Sequence, residues 1–320
     1  MVVPILLFLV GLVCLIVGGN WFVDGASNLA HRLKIPDIIV GATVVSIGTT
    51  LPEVMVSATS AVSGHGEIAY GNAIGSIICN TALIAALTIA IKPSLVKRKS
   101  FILPVTFFFG AAIFYSAIAY ATGYFSRTVG IILLCIFVAY VLLIIRQSRK
   151  HPEDVASEGE IKEMPVWKMI LFLVLGAALI AVGADLLVDN GTKIAAWMGV
   201  PESVIALTFV ALGTSLPELV TAITSLIKGH SNLSIGNIVG ANLFNLVLVS
   251  GVSATLSPFK IPESRMIAGM NSSLVVDIPV MLFVMTLLCI QALIREKLSR
   301  TQGILLLATY VAFVVYQFAL

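Results

Sequence analysis

Apolar residues run along this chain in blocks far longer than a soluble core needs, and the polar positions gather in short clusters between them. Counting the blocks predicts ten helices, near 3–30, 37–63, 67–91, 100–121, 126–146, 166–192, 202–228, 233–256, 268–294 and 301–319. About 20 apolar residues span a hydrocarbon core of roughly 30 Å, so blocks of this length predict an all-α polytopic membrane protein with ten transmembrane helices. No basic stretch precedes the first block and no small-residue cleavage site follows it, which predicts a retained helix.

Composition agrees. Of 320 residues, 59% are hydrophobic and 11% charged, with a mean hydropathy of +1.06, well outside the range of soluble domains. The expected surroundings are the lipid bilayer, with no nucleic acid as partner. Charge placement adds orientation. Of the 19 Lys and Arg residues, Arg127, Lys193, Lys260 and Arg265 fall at one end of the predicted bundle, and the other 15 fall at the opposite end. The positive-inside rule makes the richer end cytoplasmic. Both termini are then outside, and the mixed-charge segment 147–165 is a solvated cytoplasmic linker. Cys14, Cys79, Cys135 and Cys289 each stand alone in an apolar run, without metal-ligand spacing, and are read as packing residues. Neither an enzymatic activity nor a cofactor is expected.

The sequence matches itself at an offset of 165 residues, without a gap from Gly18 to Asn80. GATVVSIGTTLPEV and GHGEIAYGNAIGSIICN recur as ALTFVALGTSLPEL and GHSNLSIGNIVGANLFN. Five predicted helices separate the copies, an odd number of crossings, so the second copy enters the membrane upside down. The expected organisation is two inverted-topology five-helix repeats, 1–146 and 166–320, joined by 147–165. Their cores lie at 41–80 and 206–245. Inverted repeats with interrupted helices are the architecture of many secondary transporters, whose substrates bind near the midplane.

Glu53 and Glu218 occupy matched positions inside the second and seventh predicted helices. A charge there costs about 2.5–3.5 kcal/mol on insertion scales. No Lys or Arg shares those helix centres, and a bound cation is the natural counter-charge. Pro52 and Pro217 precede the two glutamates and are expected to break their helices, freeing backbone carbonyls beside the hydroxyls of Thr49, Thr50, Thr214 and Ser215. The third and eighth helices add Asn72, Ser76 and Asn80, and Asn237, Ala241 and Asn245, each set spaced by four on one helical face. Carboxylates, hydroxyls, amides and carbonyls form an all-oxygen set suited to Ca²⁺ and Na⁺ rather than to zinc or copper. His65 and His230 are expected at opposite interfaces. Asp277, without a symmetric partner, is expected to play a structural part, bonded to a neighbouring helix.

At GTTLPEV with GNAIGSIICN, and at GTSLPEL with GNIVGANLFN, the chain resembles the sodium/calcium exchanger branch of the cation/calcium antiporter superfamily, in its prokaryotic form without a regulatory loop. The two stretches look like the family's alpha-repeats. The resemblance implies that Glu53 and Glu218 hold Ca²⁺ with the carbonyls of Thr49 and Thr214. It implies that Na⁺ uses the same glutamates with Ser46, Thr50, Ser76, Ala211 and Ser215, while Asn80 and Asn245 complete the centre. It further implies a cell-membrane antiporter, functional as a monomer, whose first and sixth helices slide against the rest. Two departures stand out: Ala241 replaces the hydroxyl of Ser76 in the second repeat, and Asn245 stands where potassium-dependent relatives carry aspartate.

Three other functions bear comparison with these residues. A calcium/proton antiporter would use the same glutamates, but such relatives place a glutamate after the GN pair of the third helix, where this chain has Ala73 and Ile238. A passive channel calls for continuous pore-lining rings. An intramembrane hydrolase needs a nucleophile or an aspartate dyad.

Overall fold

The computed structural model describes residues 2–150, 163–199, 213–262, 266–267 and 269–319. Its helices are α1 (Val2–Leu33), α2 (Asp37–Val62), α3 (Gly66–Ile91), α4 (Arg98–Thr122), α5 (Arg127–Lys150), α6 (Val166–Trp197), α7 (Leu216–Ile227), α8 (Ser231–Leu256), α9 (Ser273–Arg295) and α10 (Arg300–Ala319). Eight of these are long and apolar enough to cross a membrane. The chain is a multi-pass membrane protein. The exceptions are α7 and α10; the first half of the seventh predicted helix lies outside the described residues.

Two short antiparallel strand pairs mark the ends of the bundle. Ser94–Leu95 pairs with Lys297–Leu298 at one end, and Tyr124–Phe125 with Phe259–Lys260 at the other. The first pair joins the α3–α4 and α9–α10 connections, where Lys92, Lys97, Arg98 and Arg300 cluster. The 25-residue α4 separates one end from the other.

α1 and α6 lie against each other along their lengths, and their contact runs over glycines seven apart. A Cβ on Gly11 would stand 2.9 Å from the Gly183 carbonyl oxygen, and one on Gly18 the same 2.9 Å from that of Gly176. Under the 165-residue offset these two contacts exchange, since Gly11 maps to Gly176 and Gly18 to Gly183. Small residues let the backbones approach where lipid offers no hydrophobic drive for association. The matched turns are alike as well: Gly64 and Gly229 adopt left-handed φ of 86° and 84°, a conformation that glycine takes without steric cost.

The expected helix break is found on one side only. α2 stays α-helical from Ser46 to Val62, straight through Pro52. Its irregularity lies upstream, where Gly41–Val45 forms a π-helical turn. A single missing N–H removes one bond and does not by itself end a helix held on several sides. The Tyr140 hydroxyl reaches the Ala42 carbonyl of the widened turn at 2.8 Å. α7 starts at Leu216 with Pro217 in its first turn, where the N–H would have had no intrahelical partner. Further π turns occupy Asn80–Ala85 in α3 and Asn245–Val249 in α8, at matched positions.

The ninth helix also starts later than its hydropathy predicts. Met266–Ile267 pairs with Met270–Asn271 as a small hairpin turning at Gly269, whose φ is 82°. The Asn271 side-chain oxygen then accepts the Ser273 N–H at 2.8 Å, at the head of α9.

Candidate cation site

Glu53 of α2 and Glu218 of α7 are both fully buried and lie within electrostatic reach of each other. None of their four carboxylate oxygens has a hydrogen-bond partner among the described residues. Burying even one such charge unpaired is strongly unfavourable. Of the other residues expected at the site, Ser46, Thr49, Thr50, Ser76, Asn80, Ser215 and Asn245 are all buried. The Thr50 and Ser215 hydroxyls and the Asn80 amide are also without partners among the described residues. Thr214 is half-buried and Ala211 lies outside the described residues.

Other groups are tied into a scaffold. Ser46 donates to the Gly41 carbonyl at 2.7 Å and shares the Asn237 carbonyl at 3.0 Å, bracing α2 against α8. The Thr49 hydroxyl reaches the Asn237 side-chain oxygen at 3.2 Å and faces Glu218. The Asn72 amide nitrogen donates to Ser57 at 2.9 Å. The Asn245 amide donates to the Ala241 carbonyl at 3.0 Å, leaving its oxygen without a partner among the described residues.

The two ends of this cluster differ. At the basic end, α8 presses on α2 so closely that a Cβ on Gly240 would meet the Ser46 hydroxyl and the Ala42 backbone, and one on Gly236 the Ile38 carbonyl. The matched glycines of α3, Gly75 and Gly71, have no described atom within 4 Å of such a Cβ. They line a cavity of about 560 Å³ that also reaches Asn72, Ser76 and Thr214.

One ion pair and one buried histidine–aspartate contact that the sequence pattern did not disclose brace the basic end. Lys228 contacts Asp24 of α1 at 2.6 Å, so this lysine is already engaged and does not neutralise Glu218. His230, expected at an interface, is instead buried, with its Nδ1 3.0 Å from Asp37. His65 at the opposite end is exposed. Across 193 residues, only the fold could bring Asp37 and His230 together. Asn242 was overlooked too; its amide donates to Thr81 at 2.7 Å. Among the cysteines, Cys79 and Cys289 are buried while Cys135 is exposed, so packing accounts for only some of them.

The buried donors without partners among the described residues are carboxylate, hydroxyl and amide groups. Among the described residues no group of three or more His, Cys, Asp and Glu side chains gathers into a cluster for a transition metal. Carboxylate, hydroxyl and amide oxygens are instead the ligands of Ca²⁺ and of similarly hard ions.

Comparison with known proteins gives this chemistry a family. The family model described as sodium/calcium exchanger protein matches residues 3–146 and 168–319. The chain belongs to that family, in its prokaryotic form. It is 34% identical to the putative antiporter CaxA of Alkalimonas amylolytica over all of this chain and 99% of that protein. With the inner membrane protein YrbG of Escherichia coli K12 it shares 37% identity over 80% of each chain. It is 28% identical to the sodium/calcium exchanger MaX1 of Methanosarcina acetivorans over 99% of each. Its structure superposes on that of the sodium-calcium exchanger NCX_Mj soaked with Na⁺ and Sr²⁺ at a TM-score of 0.80, with 29% identity over 98% of each chain. The family is one of transporters, and its business is cation exchange involving Ca²⁺.

Proposed function

We propose that this chain exchanges Na⁺ for Ca²⁺ across the cell membrane by alternating access, with Glu53 and Glu218 as the site that both ions occupy in turn. One observation carries the reading: two fully buried carboxylates lie within electrostatic reach of each other, and none of their four oxygens has a hydrogen-bond partner among the described residues. A dication between them cancels both charges. Thr49, Thr214, Thr50, Ser215, Ser46, Ser76, Ala211, Asn80 and Asn245 are the further groups of the site. Hydroxyls in GTTLPE and GTSLPE offer the neutral oxygens a monovalent hard ion needs, which favours sodium over protons as the counter-ion.

The repeats at 1–146 and 166–320 are taken as inverted copies, ten helices in all, which the exchange of the Gly11–Gly183 and Gly18–Gly176 contacts supports. With the basic end cytoplasmic, the termini are outside and the cavity at Gly71 and Gly75 opens outward. The Asp37–His230 pair and the tight α2–α8 seam then close the inner side. Sliding of the α1–α6 pair along the rest reverses this arrangement, and a single copy of the chain suffices.

Flux in proteoliposomes tests the coupling. Radioactive calcium uptake should be driven by an imposed outward Na⁺ gradient, and neither K⁺ nor H⁺ gradients should replace it. Uptake driven by a pH gradient in the absence of Na⁺ contradicts sodium coupling.

A further inference from the structure

The Thr49 hydroxyl donates to the Asn237 side-chain oxygen at 3.2 Å, and the bond that matches this one is not made. Under the 165-residue offset Thr49 maps to Thr214, and Asn237 to Asn72. Thr214 and Asn72 both line the outward cavity. Asn72 is turned to its own half of the chain: its amide donates to Ser57 at 2.9 Å, and its oxygen lies 3.5 Å from the Ser76 hydroxyl. Among the described residues no hydrogen bond joins it to Thr214. Burial follows the same division. Val56 of α2 lines the cavity and is 41% exposed, whereas its match, Thr221 of α7, is fully buried. Asp277, of the same cavity wall, accepts the Gln317 amide of α10 at 3.1 Å. Two matched halves thus hold one end bonded and packed and the other end unbonded and open.

We infer that Asn237 and Asn72 are alternate latches of the exchange cycle. Asn237 holds Thr49 while the site is open outward. Asn72 takes the Thr214 hydroxyl once the α1–α6 pair has slid and the site is open inward. Each bond ties one half of the chain to the other, so making one favours the state in which the other is broken. The latches are unequal. The Asn237 carbonyl also accepts the Ser46 hydroxyl at 3.0 Å, whereas Ala211, the match of Ser46, has no hydroxyl to offer Asn72. The extra bond favours the outward-open state at rest. Asn72 and Asn237 are positioning residues that act through the two threonines.

This inference rests on the reading of Glu53 and Glu218 as an alternating-access site, and it is tested without any ion flux. The full-length protein, with its four native cysteines replaced and Thr221→Cys added, is oriented in proteoliposomes free of Na⁺ and Ca²⁺. A membrane-impermeant thiol reagent is offered at the cytoplasmic face, where the labelling rate follows the inward-open fraction. Asn237→Ala and Thr49→Val, which break the inner latch, should each raise that rate by about threefold to fivefold, the worth of one hydrogen bond. Asn72→Ala and Thr214→Val, which break the outer latch, should each lower it by a similar factor. Structural damage alone would raise the rate in all four variants. The threonine variants decide the matter where an asparagine variant does not fold. Unchanged rates, or changes of the same sign in both sets, overturn the inference. If Thr221→Cys is never labelled, even with Asn237→Ala, inward opening is refuted and the latches with it. Calcium exchange that persists in Glu53→Gln instead strikes the carboxylate site, which the labelling does not involve.

Discussion

The Thr49 hydroxyl meets the side-chain oxygen of Asn237 at 3.2 Å, so a hydroxyl beside one glutamate is held by an amide from the other half of the chain. The bond ties together residues 188 apart in sequence. Removing the amide should free Thr49 and blur the site's geometry. Asn237→Ala is expected to weaken calcium binding by about 1 kcal/mol, roughly fivefold, the net value of a typical hydrogen bond. Titration of calcium-dependent protection against heat reads the change, and unaltered affinity would remove Asn237 from the scaffold.

The buried Asp37–His230 pair, with Nδ1 and Oδ2 3.0 Å apart, joins the start of α2 to the start of α8. Removing one partner of a buried hydrogen-bonded pair leaves the other unsatisfied, at a cost of about 1–3 kcal/mol. Asp37→Asn should therefore loosen the closed end and admit reagents from the cytoplasm. In a background without other cysteines, Ser234→Cys should react faster with a membrane-impermeant thiol reagent applied from the cytoplasmic side once Asp37→Asn is added. An unchanged rate would show that this pair does not hold the end shut.

The glycine seam between α1 and α6 leaves no room for a side chain, with a Cβ at Gly11, Gly18 or Gly183 falling 2.8–2.9 Å from an opposing atom. Gly18→Val and Gly183→Val should each reduce exchange by about tenfold or more, and by similar amounts, because they occupy exchanged positions of one seam. Gly71→Ala, with no described atom within 4 Å of the new methyl, should leave the thermal stability close to wild type. Unequal effects at Gly18 and Gly183 would count against the two-fold relation.

Much of this was legible in the sequence, and the omissions share a cause. Apart from the seventh predicted helix, whose first half lies outside the described residues, hydropathy located the helices to within about five residues because lipid demands long apolar runs, and self-similarity set Glu53 opposite Glu218. The helix irregularity near Glu53 was misplaced because proline is a local signal, whereas the π turn at Gly41–Val45 is held by Tyr140 from a distant helix. Asp37–His230 and the cavity position of Asp277 likewise depend on which helices become neighbours. Periodicity along one chain does not encode that. The start of α9 was expected at residue 268 because the apolar run was read as continuous from there, and the hairpin turn at Gly269 delays the helix to Ser273.

Position 241 tests how the site counts its sodium ions. Ala241 is fully buried and stands where the first repeat has Ser76. Ala241→Ser adds one neutral oxygen to the second half, and few neutral ligands hold a monovalent hard cation. The variant should lower the Na⁺ concentration needed for half-maximal exchange or steepen its Hill coefficient. If both are unchanged, position 241 is no part of a sodium shell.

Glu53 and Glu218 are proposed to carry the exchanged cation. Calcium uptake into Na⁺-loaded proteoliposomes by Glu53→Gln and Glu218→Gln tests it most directly, with each variant first shown by size-exclusion chromatography to be folded. Each substitution leaves one carboxylate against a dication, and uptake should fall to the level of protein-free vesicles in both. Wild-type uptake in either folded variant would contradict the account.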